Sequence, residues 1–127
     1  MNTDERESLN RLSGQVIGAA QAVSSALGCG FLEKVYENAM MVELERRGLK
    51  AEQQRAITVR YAGRIVGEYL ADIVVEDRLI VEMKAVSGID PIHEAQCLNY
   101  LRASGLNLCL LMNFARPRID VRRIIHG

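Results

Sequence analysis

The sequence predicts a mixed α/β (α+β) domain with the element order ααβββαβ(β), in which helices flank a β-sheet. Apolar residues recur every three or four positions over most of the first 47 residues, which is typical of amphipathic helices. Between residues 56 and 86 the chain is instead rich in Val, Ile, Leu and Tyr, which is typical of strands. A length of 127 residues favours one domain that spans residues 1–127.

Three helices are expected. The first covers about residues 4–27 and ends at the glycines of "GCG", and the second covers about residues 31–47. Asp90 is suited to the N-cap of the third helix and Pro91 to its first position, while Gly105 is placed to end it. The chain therefore opens with two helices and adds a third after the strand-rich region.

Three antiparallel strands are predicted in "AITVRYAGRIVGEYLADIVVEDRLIVEMKAV", with turns at "YAGR" and "VEDR", so that they form a β-meander. A further strand is expected in "LNLCLLMNF", after the third helix. The final segment "IDVRRIIHG" alternates weakly and is a candidate for a last strand.

Composition and charge limit the function. Sixteen basic residues balance sixteen acidic ones, so any nucleic-acid binding must come from local patches. The three cysteines are far apart and outside any CxxC pattern, which favours reduced thiols and argues against a zinc or iron–sulfur site. The start "MNTDERESLN" is not a secretory signal, and no apolar run is long enough to span a membrane. A cytoplasmic protein without membrane association is expected.

Glu82 and Lys84 stand two residues apart in the apolar segment "DRLIVEMKAV". Residues two apart in a strand share a face, so these two side chains project to one side while their apolar neighbours project to the other. Asp72 lies in a similarly apolar strand. Burial of three ionisable groups is costly unless they pair or hold a metal, so their presence indicates a site.

A loop of three residues, Glu76–Arg78, would place Val75 opposite Leu79 and therefore Asp72 opposite Glu82, with their Cα atoms about 4.5–5.5 Å apart. Two carboxylates this close repel each other unless a cation lies between them. Hard oxygen ligands beside an amine favour Mg²⁺ or Mn²⁺ over zinc.

Asp72 followed by Glu82-Met83-Lys84 resembles the D…(D/E)xK signature of PD-(D/E)xK nucleases, although Ala71 stands where a proline usually precedes the aspartate. Two further motifs strengthen the resemblance. The segment "GFLEKVY" is similar to the motif of the small bacterial GxxExxY proteins of that superfamily. The segment "QCLNY" supplies a QxxxY pattern similar to that of RecB-type and lambda-exonuclease-like members.

The resemblance spans about residues 9–114 and implies a restriction-endonuclease-like core. It also implies a Mg²⁺- or Mn²⁺-dependent nuclease that hydrolyses phosphodiester bonds of nucleic acid, with DNA favoured. Its implied catalytic residues are Asp72, Glu82, Lys84, Gln96, Tyr100 and Glu33. Asp72, Glu82 and Glu33 would ligate the metal, Lys84 would position water or counter negative charge, and the QxxxY pair would orient water or a phosphate.

Simpler interpretations exist for each residue. Glu82 and Lys84 would be an exposed pair if their strand lay at a sheet edge. Glu33 would be favoured by the helix dipole alone at the start of a helix. Gln96 and Tyr100 would form a surface pair, or Tyr100 would be a core residue with a satisfied hydroxyl.

The alternative function is a catalytically inactive module with the nuclease fold, acting through a protein partner or as an oligomer. The neutral net charge and the few aromatic residues favour it. A homodimer would extend the phosphate contacts of so small a domain. An enzyme that uses Cys97 with His93 is disfavoured because nothing nearby supplies an oxyanion hole. The basic segment at residues 116–123 is expected to be a solvated end.

Overall fold

The computed structural model describes residues 1–127, and it confirms the mixed α+β class and the predicted order of elements. The candidate last strand is present. The helices are α1 (Thr3–Leu27), α2 (Glu33–Arg46) and α3 (Pro91–Ser104). The strands are β1 (Ala51–Tyr61), β2 (Arg64–Val75), β3 (Leu79–Lys84), β4 (Leu108–Asn113) and β5 (Asp120–Ile125).

All five strands form one sheet in the order β1-β2-β3-β4-β5. Each neighbouring pair is antiparallel except β3 and β4, which are parallel because α3 carries the chain back across the sheet between them. β3 is thus the central strand, hydrogen-bonded on both sides. The interpretation of Glu82 and Lys84 as an exposed pair on an edge strand is therefore wrong.

The two faces of the sheet pack against different helices, and β3 contributes to both. Its Val81 and Met83 lie in the larger core with residues of α1 and α2. Its Ile80 lies in a second core with Cys97 and Leu101 of α3. The predicted alternation is confirmed, because Glu82 and Lys84 have the parity of Ile80 and so project toward the α3 face.

β1 begins at Ala51, five residues before the predicted start at Ala56. The extra segment is polar, with two glutamines, and has no strand signal of its own. Gln53 pairs with Ile73 of β2, and its side chain donates to the carboxylate of Glu37 on α2. Contacts with β2 and α2 therefore place this segment in the sheet, which a local pattern does not reveal.

The third helix follows its predicted capping. The side chain of Asp90 accepts a hydrogen bond from the N–H of Ile92, Pro91 lies at the first helical position, and Gly105 ends the helix with a left-handed φ of 77°. His93 completes a capping box, because its Nδ1 accepts from the N–H of Asp90 at 3.0 Å. This histidine is thus bonded to the start of its own helix.

The C-terminal basic segment makes contacts within the chain. Arg122 forms ion pairs with Glu94 and Asp120, and Arg123 donates hydrogen bonds to Ser13 and Asn10 of α1. Among the helices, none is both long enough and apolar enough to cross a membrane. All three cysteines are free, with Cys97 and Cys109 buried and Cys29 exposed.

Candidate functional site

The turn between β2 and β3 determines how Asp72 and Glu82 face each other. Val75 pairs with Leu79 as predicted, with the three residues Glu76–Arg78 between them. The regular ladder continues for two further pairs and stops just before the two carboxylates. Because the register is continuous up to that point, the next residues along the two strands are Asp72 and Glu82.

At this point side chains replace the backbone ladder. The N–H of Asp72 donates to Oε1 of Glu82 at 3.1 Å, and the N–H of Met83 donates to Oδ2 of Asp72 at 2.8 Å. Each carboxylate therefore bonds to the main chain of the opposite strand. These reciprocal bonds hold both acidic groups where the two strands separate.

Burial and repulsion dominate the electrostatics of the pair. Glu82 is 5% exposed, and its burial, with the charge of Asp72 beside it, raises the pKa of the Glu82 carboxyl from 4.5 to about 9. Its ionised form is thus strongly disfavoured in the absence of a compensating charge. A cation placed between the two groups would remove this penalty, so their chemistry fits a hard divalent ion such as Mg²⁺ or Mn²⁺.

Lys84 follows on the same face, at the end of β3. Its side chain is partly buried, and its ammonium forms no ion pair or hydrogen bond in the structure. Its positive charge opposes the rise in the pKa of Glu33, the first residue of α2. An ammonium without a carboxylate partner, on the same face of β3 as Glu82, is available to a negatively charged ligand.

Glu33 is brought to the edge of this group as the first residue of α2. Burial raises the pKa of its carboxyl, and the charge of Asp72 adds to that rise. No group of three His, Cys, Asp or Glu side chains in the structure is arranged to hold a metal ion. Asp72 and Glu82 are thus in direct contact, whereas Glu33 lies near them without forming a ready three-carboxylate cluster.

The tyrosine of the GxxExxY pattern points away from the carboxylates. The hydroxyl of Tyr36 donates to the carbonyl of Gly28 at 2.6 Å and accepts from the N–H of Phe31 at 3.3 Å. Its ring stacks on Phe114 with centroids 4.8 Å apart. Tyr36 thereby fastens the connection between α1 and α2, and this fixes the position of Glu33 two residues after Phe31.

Gln96 and Tyr100 meet on α3, as their spacing predicts. The amide of Gln96 donates to the Tyr100 hydroxyl at 2.8 Å. Tyr100 is buried, and that burial, together with the charges of Glu82 and Asp72, raises its pKa to about 12. Since the phenol keeps its proton and accepts from Gln96, that proton remains free to be donated.

The structure adds a residue that sequence reasoning missed. Gln54 lies inside β1 with a φ of 57°, a left-handed conformation that is rare for a non-glycine residue. Its amide donates to Oδ1 of Asp72 at 3.4 Å and to both carboxylate oxygens of Glu37, at 3.1 and 3.0 Å. Gln54 thus links the candidate site to α2, and the surrounding bonds stabilise a backbone conformation that costs about 1–3 kcal/mol.

Glu37 of α2 accepts hydrogen bonds from both glutamines of β1. It is 3% exposed and accepts hydrogen bonds from Lys34, Gln53 and Gln54. Burial by itself would raise the pKa of Glu37, but these hydrogen bonds outweigh it and lower the pKa. The only signal in the sequence was a pair of adjacent glutamines just before the predicted first strand. A positive φ cannot be read from such a pair.

Comparison with known proteins identifies the family. The model of the PD-(D/E)XK nuclease superfamily matches residues 10–124, nearly the whole chain. The chain therefore belongs to the PD-(D/E)XK nuclease superfamily. No curated protein sequence matches it.

Two solved structures are similar. The crystal structure of SSO0001 matches with a TM-score of 0.57 and 17% identity, over 74% of this chain and 50% of that one. The chain thus spans about half the length of SSO0001, and at this identity the likeness concerns the fold alone. An alkaline exonuclease from Laribacter hongkongensis, LHK-Exo, matches with a TM-score of 0.48 and 13% identity, over 85% of this chain and 76% of that one.

Proposed function

We propose that residues 1–127 form a single nuclease-like domain that hydrolyses phosphodiester bonds of nucleic acid with the help of Mg²⁺ or Mn²⁺. Membership in the nuclease superfamily supports this proposal. The main observation behind it is the contact between Asp72 and Glu82: each carboxylate accepts a hydrogen bond from the opposite strand, and the raised pKa of Glu82 indicates that a cation is needed to keep it ionised. DNA is the favoured substrate.

Asp72 and Glu82 would hold the metal, with Glu33 as a third carboxylate from α2. When bound, the cation lowers the pKa of a water molecule and offsets charge on the scissile phosphate. Glu82 must lose its proton to serve as a ligand, so metal binding should release a proton below about pH 9. Gln54 positions Asp72 through its bond to Oδ1.

Lys84 would counter the negative charge that develops on the phosphate or hold the attacking water. A compact ammonium suits this role, and no carboxylate of the chain neutralises it through an ion pair. Tyr100 would donate its hydroxyl proton to a substrate phosphate or to water, and Gln96 would orient that hydroxyl from behind. These roles rest on the similarity of the QxxxY pattern to that of RecB-like nucleases and of "GFLEKVY" to the motif of GxxExxY proteins.

The test is a cleavage assay with labelled single-stranded DNA, duplex DNA and RNA in Mg²⁺, Mn²⁺ or EDTA. The variants are Asp72→Asn, which keeps an acceptor for the Met83 N–H, and Lys84→Ala. Lys50→Ala is the matched control because this lysine is exposed and lies before β1. Thermal unfolding verifies that each variant is folded.

Metal-dependent cleavage that is lost in Asp72→Asn and Lys84→Ala but kept in Lys50→Ala is the expected result. Losses at single catalytic groups are typically about 100-fold or more. Equal cleavage in all variants would reveal a contaminating nuclease. No cleavage in any metal would favour the alternative, an inactive nuclease-fold module that acts through a protein partner or as a homodimer.

A further inference from the structure

A cleft of about 580 Å³ lies between the β1–β2 hairpin and α3, and we call it the hairpin cleft. Arg60 and Tyr69 line it from the hairpin, and Asn99 and Arg102 line it from the helix. None of the residues assigned above to catalysis lines this cleft. Its volume is within the range of about 300–1,000 Å³ that is usual for small-molecule sites, so it has room for a nucleotide-sized group.

The hairpin cleft is positively charged. Arg60 and Arg102 are both exposed, and neither forms an ion pair or a side-chain hydrogen bond. No Asp or Glu lines the cleft. By contrast, Arg55 and Arg122 are paired with carboxylates elsewhere on the surface. In a chain of zero net charge, two free guanidinium groups in one cleft form the kind of local patch that phosphate binding needs.

The cleft also offers an aromatic ring. Tyr69 is 47% exposed, and its ring centroid lies 5.6 Å from that of Tyr100. The charges of Glu82 and Asp72 contribute to the raised pKa of Tyr100, so this second ring is close to the candidate site. A base that stacks on Tyr69 would therefore lie close to the candidate site, with Tyr100 on the far side of the Tyr69 ring. Gln96 and Asn99 are three residues apart on α3 and so share one helix face. This face connects Gln96 of the candidate site with Asn99 of the cleft.

We propose that the hairpin cleft binds a single-stranded segment of nucleic acid next to the phosphate to be cleaved. Tyr69 stacks on one base, and Arg60 and Arg102 contact the adjoining phosphates. A single strand is required because bases in a duplex are stacked on each other and cannot offer a face to Tyr69. The proposal rests on the proposed function and adds the strandedness of its substrate.

Binding is to be measured by fluorescence anisotropy in EDTA, so that cleavage does not interfere. The probes are labelled dT12, labelled rU12, a duplex of equal length, and a 12-mer whose central sites are abasic. The variants are Arg60→Ala, Arg102→Ala, Tyr69→Ala and Tyr69→Phe. Arg11→Ala is the matched control, since Arg11 is exposed on α1, which packs on the opposite face of the sheet.

The expected result is tighter binding of single strands than of duplex. Tyr69→Ala should weaken binding of dT12 by about 5- to 100-fold, as the loss of one stacked base does, while Tyr69→Phe binds as the wild type. Neither change should matter for the abasic strand. Arg60→Ala and Arg102→Ala should each reduce the slope of log affinity against log salt by about 0.7, and Arg11→Ala should not.

Several results would overturn the proposal: no binding by the wild type, equal affinity for duplex and single strand, or arginine variants that behave like Arg11→Ala. DNA and RNA share the phosphates and base faces that the cleft would bind, so the relative affinities for dT12 and rU12 show which of the two the protein prefers. Failure of the nuclease proposal has a different signature, because Asp72→Asn and wild type would then both bind dT12 while neither cleaves it.

Discussion

Replacement of Glu82 by Gln should stabilise the metal-free protein at alkaline pH. The wild-type carboxyl has a pKa of about 9 when folded, against 4.5 as its ordinary value. Because the folded pKa is the higher one, the native state holds a proton that the unfolded chain loses. The stability that depends on this proton is complete below about pH 4.5 and declines as the pH rises toward 9. The Glu82→Gln variant has no such dependence.

The size of the effect follows from linkage. Between the two pKa values each pH unit costs about 1.4 kcal/mol, so three units, from pH 5 to pH 8, cost about 4 kcal/mol. This is a large part of the roughly 5–15 kcal/mol that stabilises an ordinary domain. Glu82 is nearly inaccessible to solvent, at 5% exposure, so water screens little of this cost.

The assay is urea unfolding followed by circular dichroism at pH 5, 6, 7 and 8 in EDTA. The free energy of unfolding of Glu82→Gln minus that of the wild type should rise with pH by about 4 kcal/mol in total. The titrations of groups that do not interact with Glu82 occur in both proteins and cancel in this difference. Glu45→Gln, at an exposed glutamate of α2, is the control and should remain parallel to the wild type. A difference for Glu82→Gln that stays constant with pH would show that the Glu82 carboxyl is not held protonated in the folded protein.

Three further predictions follow from the site. Mg²⁺ or Mn²⁺ at about 100 times its dissociation constant should stabilise the wild type by about 2.7 kcal/mol at pH 8, measured by thermal unfolding, and should leave Asp72→Asn unchanged. Gln54→Gly relieves the positive φ but removes the bonds to Asp72 and Glu37, so cleavage should fall at least about tenfold in an assay where the fold is intact. Tyr36→Phe loses the hydrogen bond to Gly28, so the free energy of unfolding in urea should fall by about 1–2 kcal/mol. The cleavage rate at low temperature should be unchanged, and a lower rate would contradict a purely structural role for Tyr36.

Local chemistry determined much of this fold in advance. The third helix could be bounded from Asp90, Pro91 and Gly105 because caps act within one turn. The contact of Asp72 with Glu82 could be anticipated because a short turn fixes strand register and a strand alternates its faces. Both results depend on residues that are close in sequence.

Sequence patterns thus predicted the order of elements, the face of β3 that carries the charges and the contact between Asp72 and Glu82. Three features could be seen only in the folded chain: Tyr36 stacks on Phe114, Gln54 adopts a left-handed conformation, and Arg60 and Arg102 line one cleft. This difference follows from the range of the interactions. Register and capping depend on neighbours along the chain, whereas these three features depend on segments that are far apart in the sequence and meet only when helices pack on the sheet.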